Sequence, residues 1–343
     1  MAFSYGRTLG VAVLAAAAGT ASLAAQGSPG PQVTVAGLVY TQFVYQLRDT
    51  ANHNNGFDIT RGYVNVLGRF SGGIGTRVTV DVYRQAGDGS LRYRLKYAFA
   101  TYTPTGSPLT FKLGQIHTSL LDWEEALWDY RVQGQMAMER GGYVSSSDFG
   151  LGVDGNWQQE KVDLQLAFVN GENYNGGTGD QRKDVMGRVS VRLLDTDDPS
   201  RVGGLRVTVY GQYGKPTGGG TRQRLLGMVS YKSKQVTLAG EAAVTRDSVA
   251  ADVVDRNGHV FSAYGVYKFP QSKVAVIGRV DVRHAQAGAT DKITDFIGGV
   301  SYQLSPNWRL LADWDHAGYQ TDALNAANDA TRSQALFQTQ FTF

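Results

Sequence analysis

The most concentrated charge pattern in the chain is Arg92, Arg94 and Lys96, three cations at alternate positions. In an extended strand such residues stand on one face, about 7 Å apart in successive steps. They repel one another unless water, anions or carboxylates screen them. A complementary set of carboxylates, Asp122, Glu124, Glu125 and Asp129, falls within Leu120 to Arg131, the stretch that reads as a helix. Together these groups offer a field across a gap rather than bond-making chemistry. The histidines (His53, His117, His259, His284 and His316) are scattered, and none stands at metal-ligand spacing. Gly-x-Ser-x-Gly, His-Glu-x-x-His and phosphate-loop patterns are absent. With no cysteine, thiol nucleophiles, disulfides and thiolate metal sites are excluded. We therefore expect no enzyme, no cofactor and no metal; a Ser–His pair assembled across strands is the enzymatic alternative. Asp195-Thr-Asp-Asp198 has the residue types for calcium but reads as a solvated turn. A formal net charge of +3 leaves no basic footprint for nucleic acid.

The elements that must carry these charges are strands. Residues 1–25 have the order of a secretory signal peptide: a short start with Arg7, an apolar run from Leu9, and small residues at Ala24 and Ala25. From Gln32 onward the pattern has period two. Val78, Val80 and Val82 oppose Arg77, Thr79 and Asp81, and Leu91, Tyr93, Leu95, Tyr97 and Phe99 oppose the Arg92–Lys96 ladder. Five such segments precede residue 117. After 147 they resume at 148–158, 161–169, 183–194, 204–213, 222–232, 235–246, 258–269, 273–284, 291–303, 307–316 and 332–343, making sixteen.

Segments of this length suit tilted strands crossing a bilayer, and an even count lets an up-and-down barrel close. Connections alternate between short (71–73, 104–108, 233–234) and long (48–56, 117–147, 170–182). The prediction for 26–343 is an all-β fold, a sixteen-stranded antiparallel transmembrane barrel, and its third external loop is 117–147. A soluble β-sandwich explains the alternation but neither the strand lengths nor the loop asymmetry.

If valines and aromatics face lipid, cations on the other phase face the lumen, because charge on the lipid face costs roughly 2–4 kcal/mol near the midplane. That phase makes Arg61, Arg77, Arg92, Arg94, Lys96, Lys112, Arg188, Arg192, Arg279 and Arg283 candidate pore-lining residues. In the loop, Leu120, Trp123, Leu127 and Tyr130 share a helical face that can pack on the wall. Ser119 is placed to cap the helix, leaving Asp122, Glu125 and Asp129 toward water. An alternative role for the cations is to hold loop and wall together through ion pairs. Tyr97, Trp308 and Trp314 are expected in interfacial girdles.

The ending Ala335-Leu-Phe-Gln-Thr-Gln-Phe-Thr-Phe343 resembles the C-terminal assembly signal of bacterial outer-membrane proteins, with Phe337, Phe341 and Phe343 two or four apart on one face. The block 57–155 resembles bacterial porins, nearest the phosphate-selective porin O/P type. Asp58-Ile-Thr-Arg61, Arg77-Val-Thr-Val-Asp81, Lys96-Tyr-Ala-Phe99, Lys112-Leu-Gly-Gln-Ile-His117 and Ser145-Ser-Ser-Asp-Phe-Gly-Leu-Gly152 carry that likeness. The resemblance implies a passive diffusion channel in a Gram-negative outer membrane, delivered by the barrel assembly machinery and surrounded by outer-membrane lipid. It also implies a homotrimer with the third loop inside. The acidic loop argues against copying the family's phosphate substrate, so the expectation is a weak preference for small anions. The alternative is a non-channel barrel, an adhesin or structural scaffold.

Overall fold

The computed structural model describes residues 30–174, 176, 180–215, 220–248 and 255–343; the predicted signal peptide lies outside them. The strands are β1 (Gln32–Gln46), β2 (Asn55–Arg69), β3 (Ile74–Arg84), β4 (Leu91–Tyr102), β5 (Leu109–His117), β6 (Ser147–Trp157), β7 (Val162–Val169) and β8 (Asp184–Leu194). They continue as β9 (Gly204–Gly214), β10 (Thr221–Lys232), β11 (Val236–Ser248), β12 (Arg256–Lys268), β13 (Val274–His284), β14 (Ile293–Ser305), β15 (Trp308–Tyr319) and β16 (Ser333–Thr342). Each pairs antiparallel with its sequence neighbours, and β1 pairs with β16 to close the barrel. Three short helices, α1 (Leu121–Trp128), α2 (Ala137–Arg140) and α3 (Asp322–Ala327), lie in the connections.

The wall is inverted relative to a water-soluble protein. On β9, Val207 and Val209 are 40% and 45% exposed while the intervening Arg206 and Thr208 are at 0%. An apolar belt facing outward over all strands is the surface that hydrocarbon, not water, would cover.

Two glycines are required by close approach. At the β2–β3 turn, Gly73 has φ +76, and a Cβ there would lie 2.0 Å from the Thr103 carbonyl oxygen. At the seam, Gly37 exchanges backbone hydrogen bonds with Phe343, at 2.8 and 3.1 Å, and its missing side chain makes room for the Phe343 ring.

The ladder is interrupted on both sides of the β3–β4 ribbon. Pairing of β2 with β3 stops at Val64–Val80, and pairing of β4 with β5 stops at Ala98–Gln115. The long-loop half of the β3–β4 ribbon is thus joined to neither flanking strand by a ladder. A bulge at Lys96 accompanies this: Thr79 faces Tyr97, but Val80 faces Leu95. The Gln115 amide donates to the Leu95 and Lys96 carbonyls, at 2.9 and 3.0 Å, and the Ser147 hydroxyl donates to Lys96 at 2.7 Å, replacing ladder bonds. The extra residue inverts the phase beyond it. Tyr97 and Phe99 therefore point inward and are buried, contrary to the outward face expected for them and to the girdle role expected for Tyr97. Trp308 and Trp314 are exposed on the outer face.

Candidate functional site

The segment between β5 and β6 packs against the inward faces of the strands. Its helix begins differently from the sequence expectation. Leu120 is already in the right-handed helical region (φ −106, ψ −59) and its carbonyl accepts the first helical bonds, so Ser119 is not the cap. Arg188 explains the shift: its Nε donates to the Ser119 carbonyl at 3.0 Å and fixes the chain one residue before the helix. The helix ends at Asp129, whose φ of +60 is the left-handed turn that Asp tolerates among non-glycine residues.

Leu120, Leu121, Leu127 and Trp128 are at 0% exposure and form one apolar cluster with Tyr210, Met228, Tyr264 and Ile277 of the wall. Trp128 meets Tyr264 edge-on at 5.2 Å, and Trp123 lies under the Arg188 guanidinium at 4.0 Å. Each such side chain withdrawn from water contributes roughly 1.5–3 kcal/mol, so this face fixes where the loop lies.

The carboxylates opposite do not stand free in water. Asp122 is paired with Arg201 at 2.7 Å, and Asp129 with Arg309 at 3.2 Å and Lys268 at 3.4 Å; these cations sit in or beside short turns. Glu125 is bound by Arg131 at 2.7 Å, and Arg131 also holds Glu139 at 2.8 Å. At the other end, Arg140 reaches Asp315 at 3.0 Å and Asp295 at 3.6 Å, while Arg283 binds Asp295 at 2.8 Å. The loop is therefore clamped along the height of the β8–β15 wall. Burial pushes the Asp122 carboxyl up, but Arg201 and then His117 outweigh it and hold it below the usual carboxylate range.

The candidate pore-lining cations divide into two groups. Arg188 pairs with Asp163 and lies behind the loop, as does Arg279, which pairs with Asp281 and donates to the Gln135 carbonyl at 2.7 Å. Arg192 binds Asp195 and the Ser200 carbonyl at the β8–β9 turn, and Lys112 binds Asp154. Arg92 sits at the rim, about half exposed (51%), and pairs with Asp88 in the adjoining loop. The other group faces the loop across the lumen. Arg94 lies 3.4 Å from Asp81 and packs on Tyr174 at 4.5 Å. Arg77 donates to Asn65 at 2.9 Å, meets His117 at 3.1 Å and packs on Tyr97 at 4.7 Å. Arg61 lies over Tyr63 at 4.8 Å and Lys96 over the same ring at 5.0 Å. Among the described residues neither Arg61 nor Lys96 has a carboxylate partner. Phe337, Phe341 and Phe343 lie exposed on the outer face.

Between this wall and the loop is a cavity of about 390 Å³, lined by Tyr40, Arg61, Asp81, Arg94, Tyr174 and Gln338 on one side and by Arg131–Gln135, Glu139 and Arg140 on the other. Sequence reasoning missed Arg201, Arg309 and Tyr174. Arg309 had a signal, since it shares the inward phase of Asp313 and Asp315; Arg201 and Tyr174 lie in connections, where periodicity gives no direction.

No protein-family model matches the chain, and no curated protein matches its sequence. Solved structures do match. The anion-selective porin of Comamonas acidovorans superposes with a TM-score of 0.67 at 13% identity, covering 91% of this chain and 100% of that one. OmpT of Vibrio cholerae, an outer-membrane protein, gives 0.65 at 12%, covering 93% and 99%. Salmonella typhi OmpF, solved with daunomycin, gives 0.66 at 14%, covering 92% and 98%. At such identities what is shared is the fold: the chain is a closed sixteen-stranded antiparallel β-barrel of the porin type.

Proposed function

We propose that this barrel is a passive, water-filled diffusion pore in a bacterial outer membrane, admitting small hydrophilic solutes and ions with a weak preference for anions. The observation that carries this reading is the polar cavity between Arg61 and Arg94 on one wall and Arg131, Glu139 and Arg140 on the loop. In that arrangement the 117–147 loop is the constriction. Of its carboxylates, Asp122, Glu125, Asp129 and Glu139 are spent on ion pairs and Glu124 is buried, whereas Arg61 lines the cavity without an ion pair among the described residues, so the local field favours anions. Asp81 and Glu139 border the same cavity, which keeps the preference weak. Phosphate is read as one small anion among those admitted, not as a dedicated substrate.

The reading includes export by the Met1–Ala25 segment, insertion through the barrel assembly machinery with Phe343 in the signal, a lipid-facing belt and a homotrimer. No catalytic step is assigned. Proteoliposome swelling in small neutral sugars tests the pore directly. Swelling that falls with solute size supports it, and impermeable liposomes holding folded protein would leave the adhesin or scaffold reading.

A further inference from the structure

Glu124 is the α1 carboxylate that has no ion pair among the described residues. It is at 0% exposure, and facing it from β11 is Glu241, at 6%. The two carboxyl groups are close neighbours. None of their four oxygens meets an N–H or O–H donor among the described residues. The charged and titratable groups around them are few. Arg279 on β13 is held by Asp281, through Nε at 2.9 Å, and by the Gln135 carbonyl. Glu139 on α2 is bound by Arg131. Tyr264 on β12 has a buried hydroxyl without a partner among the described residues, and the Tyr210 phenol on β9 is bonded to Gln212 at 2.8 Å. Every cation nearby is thus already matched by a carboxylate.

Two ionised carboxylates in contact, in a site from which water is excluded, repel strongly. With no donor between them, their contact requires one proton. We propose that Glu124 and Glu241 share a single proton, the neutral carboxyl donating its O–H to the ionised one, and that this bond positions the constriction loop on β11. The proposal rests on the reading of 117–147 as the constriction. Burial and the facing Glu241 push the Glu124 carboxyl well above its ordinary range. The sign follows: the docked loop binds the proton more tightly than a loop in water does. Docking is therefore strongest at and below the ordinary glutamate range and weakens as pH rises above it, by up to about tenfold per pH unit until the proton is lost.

The test is single-channel recording between pH 5 and 9 on wild type, Glu124→Gln and Glu241→Gln, each checked for folding by heat-modifiable mobility. An amide donates to the remaining carboxylate without titrating. Loop-dependent current fluctuations should become more frequent with pH in wild type and stay flat in both variants. A flat wild-type profile, or a pH dependence that survives in either variant, would overturn the shared proton. Infrared difference spectra give a readout independent of conduction: the wild-type minus Glu124→Gln spectrum should carry the C=O stretch of one neutral carboxylic acid, any band from the separate buried Asp313 carboxyl cancelling between the two. If that difference band appears but no channel conducts, the pore reading fails and the shared proton stands. If the difference band is missing, the shared proton fails whatever the conductance.

Discussion

The Tyr130 hydroxyl is hydrogen-bonded to the Ser301 hydroxyl at 2.7 Å, joining the 117–147 loop to β14 across 171 positions of sequence. One residue earlier, Asp129 turns the chain and is held by Arg309 and Lys268. These contacts make the loop part of the wall rather than a free external helix. Tyr130→Phe leaves the buried Ser301 hydroxyl unmatched, and Asp129→Asn keeps the left-handed turn while removing the charge. Tyr130→Phe should weaken loop docking by about 1–3 kcal/mol, and Asp129→Asn, whose carboxylate is partly exposed, by about 0.2–1 kcal/mol. Faster amide hydrogen exchange over 121–140, with the barrel strands unchanged, is the expected readout.

Acid should release the same loop at its other anchor. The Asp122 carboxyl is depressed by Arg201, so its contribution is complete above the ordinary aspartate range and is lost as pH falls through the depressed value. Trp123, buried beside this pair, reports the change: its fluorescence should shift as pH drops below about 4. In Arg201→Gln, which removes the main cation that depresses the buried Asp122 carboxyl, the shift should begin at higher pH.

Gly37 and Phe343 predict an assembly defect. A Cβ at position 37 would come within 1.9 Å of the Phe343 ring, so Gly37→Val must expel that ring from the β1–β16 seam. Overpacking of this kind costs about 1–3 kcal/mol. Both Gly37→Val and deletion of Phe343 should reduce the fraction of heat-modifiable barrel in isolated outer membranes. Normal yields from both would remove Phe343 from the assembly signal.

Selectivity separates cations that look equivalent in sequence. Arg92, paired with Asp88 and half exposed at the rim, should be replaceable by Gln with little change in ion preference. Arg61→Gln should move the reversal potential toward cations, because Arg61 lines the passage and has no carboxylate partner among the described residues.

Most of the barrel was legible because burial on one face writes a period of two. On β13, Val276 and Val280 alternate with Arg279 and Asp281, and strand identity, phase and number follow from that. The exception is Lys96. A bulge adds one residue without changing residue types, and its supports, Gln115 and Ser147, are distant in sequence. The inversion of Tyr97 and Phe99 was therefore hidden. The candidate site was half legible. Which cations faced inward could be read, but whether each met water, a loop carbonyl or a carboxylate depended on where the loop lay. Arg188 and Arg94 share the inward phase, yet one holds the Ser119 carbonyl behind the loop and the other lines the open cavity.

A conducting passage biased toward anions by Arg61 is tested most directly by planar-bilayer recording in a salt gradient. Folded wild-type protein should give discrete conductance steps and a zero-current potential of the sign set by anion preference. A silent bilayer, or a potential of the opposite sign, would contradict it.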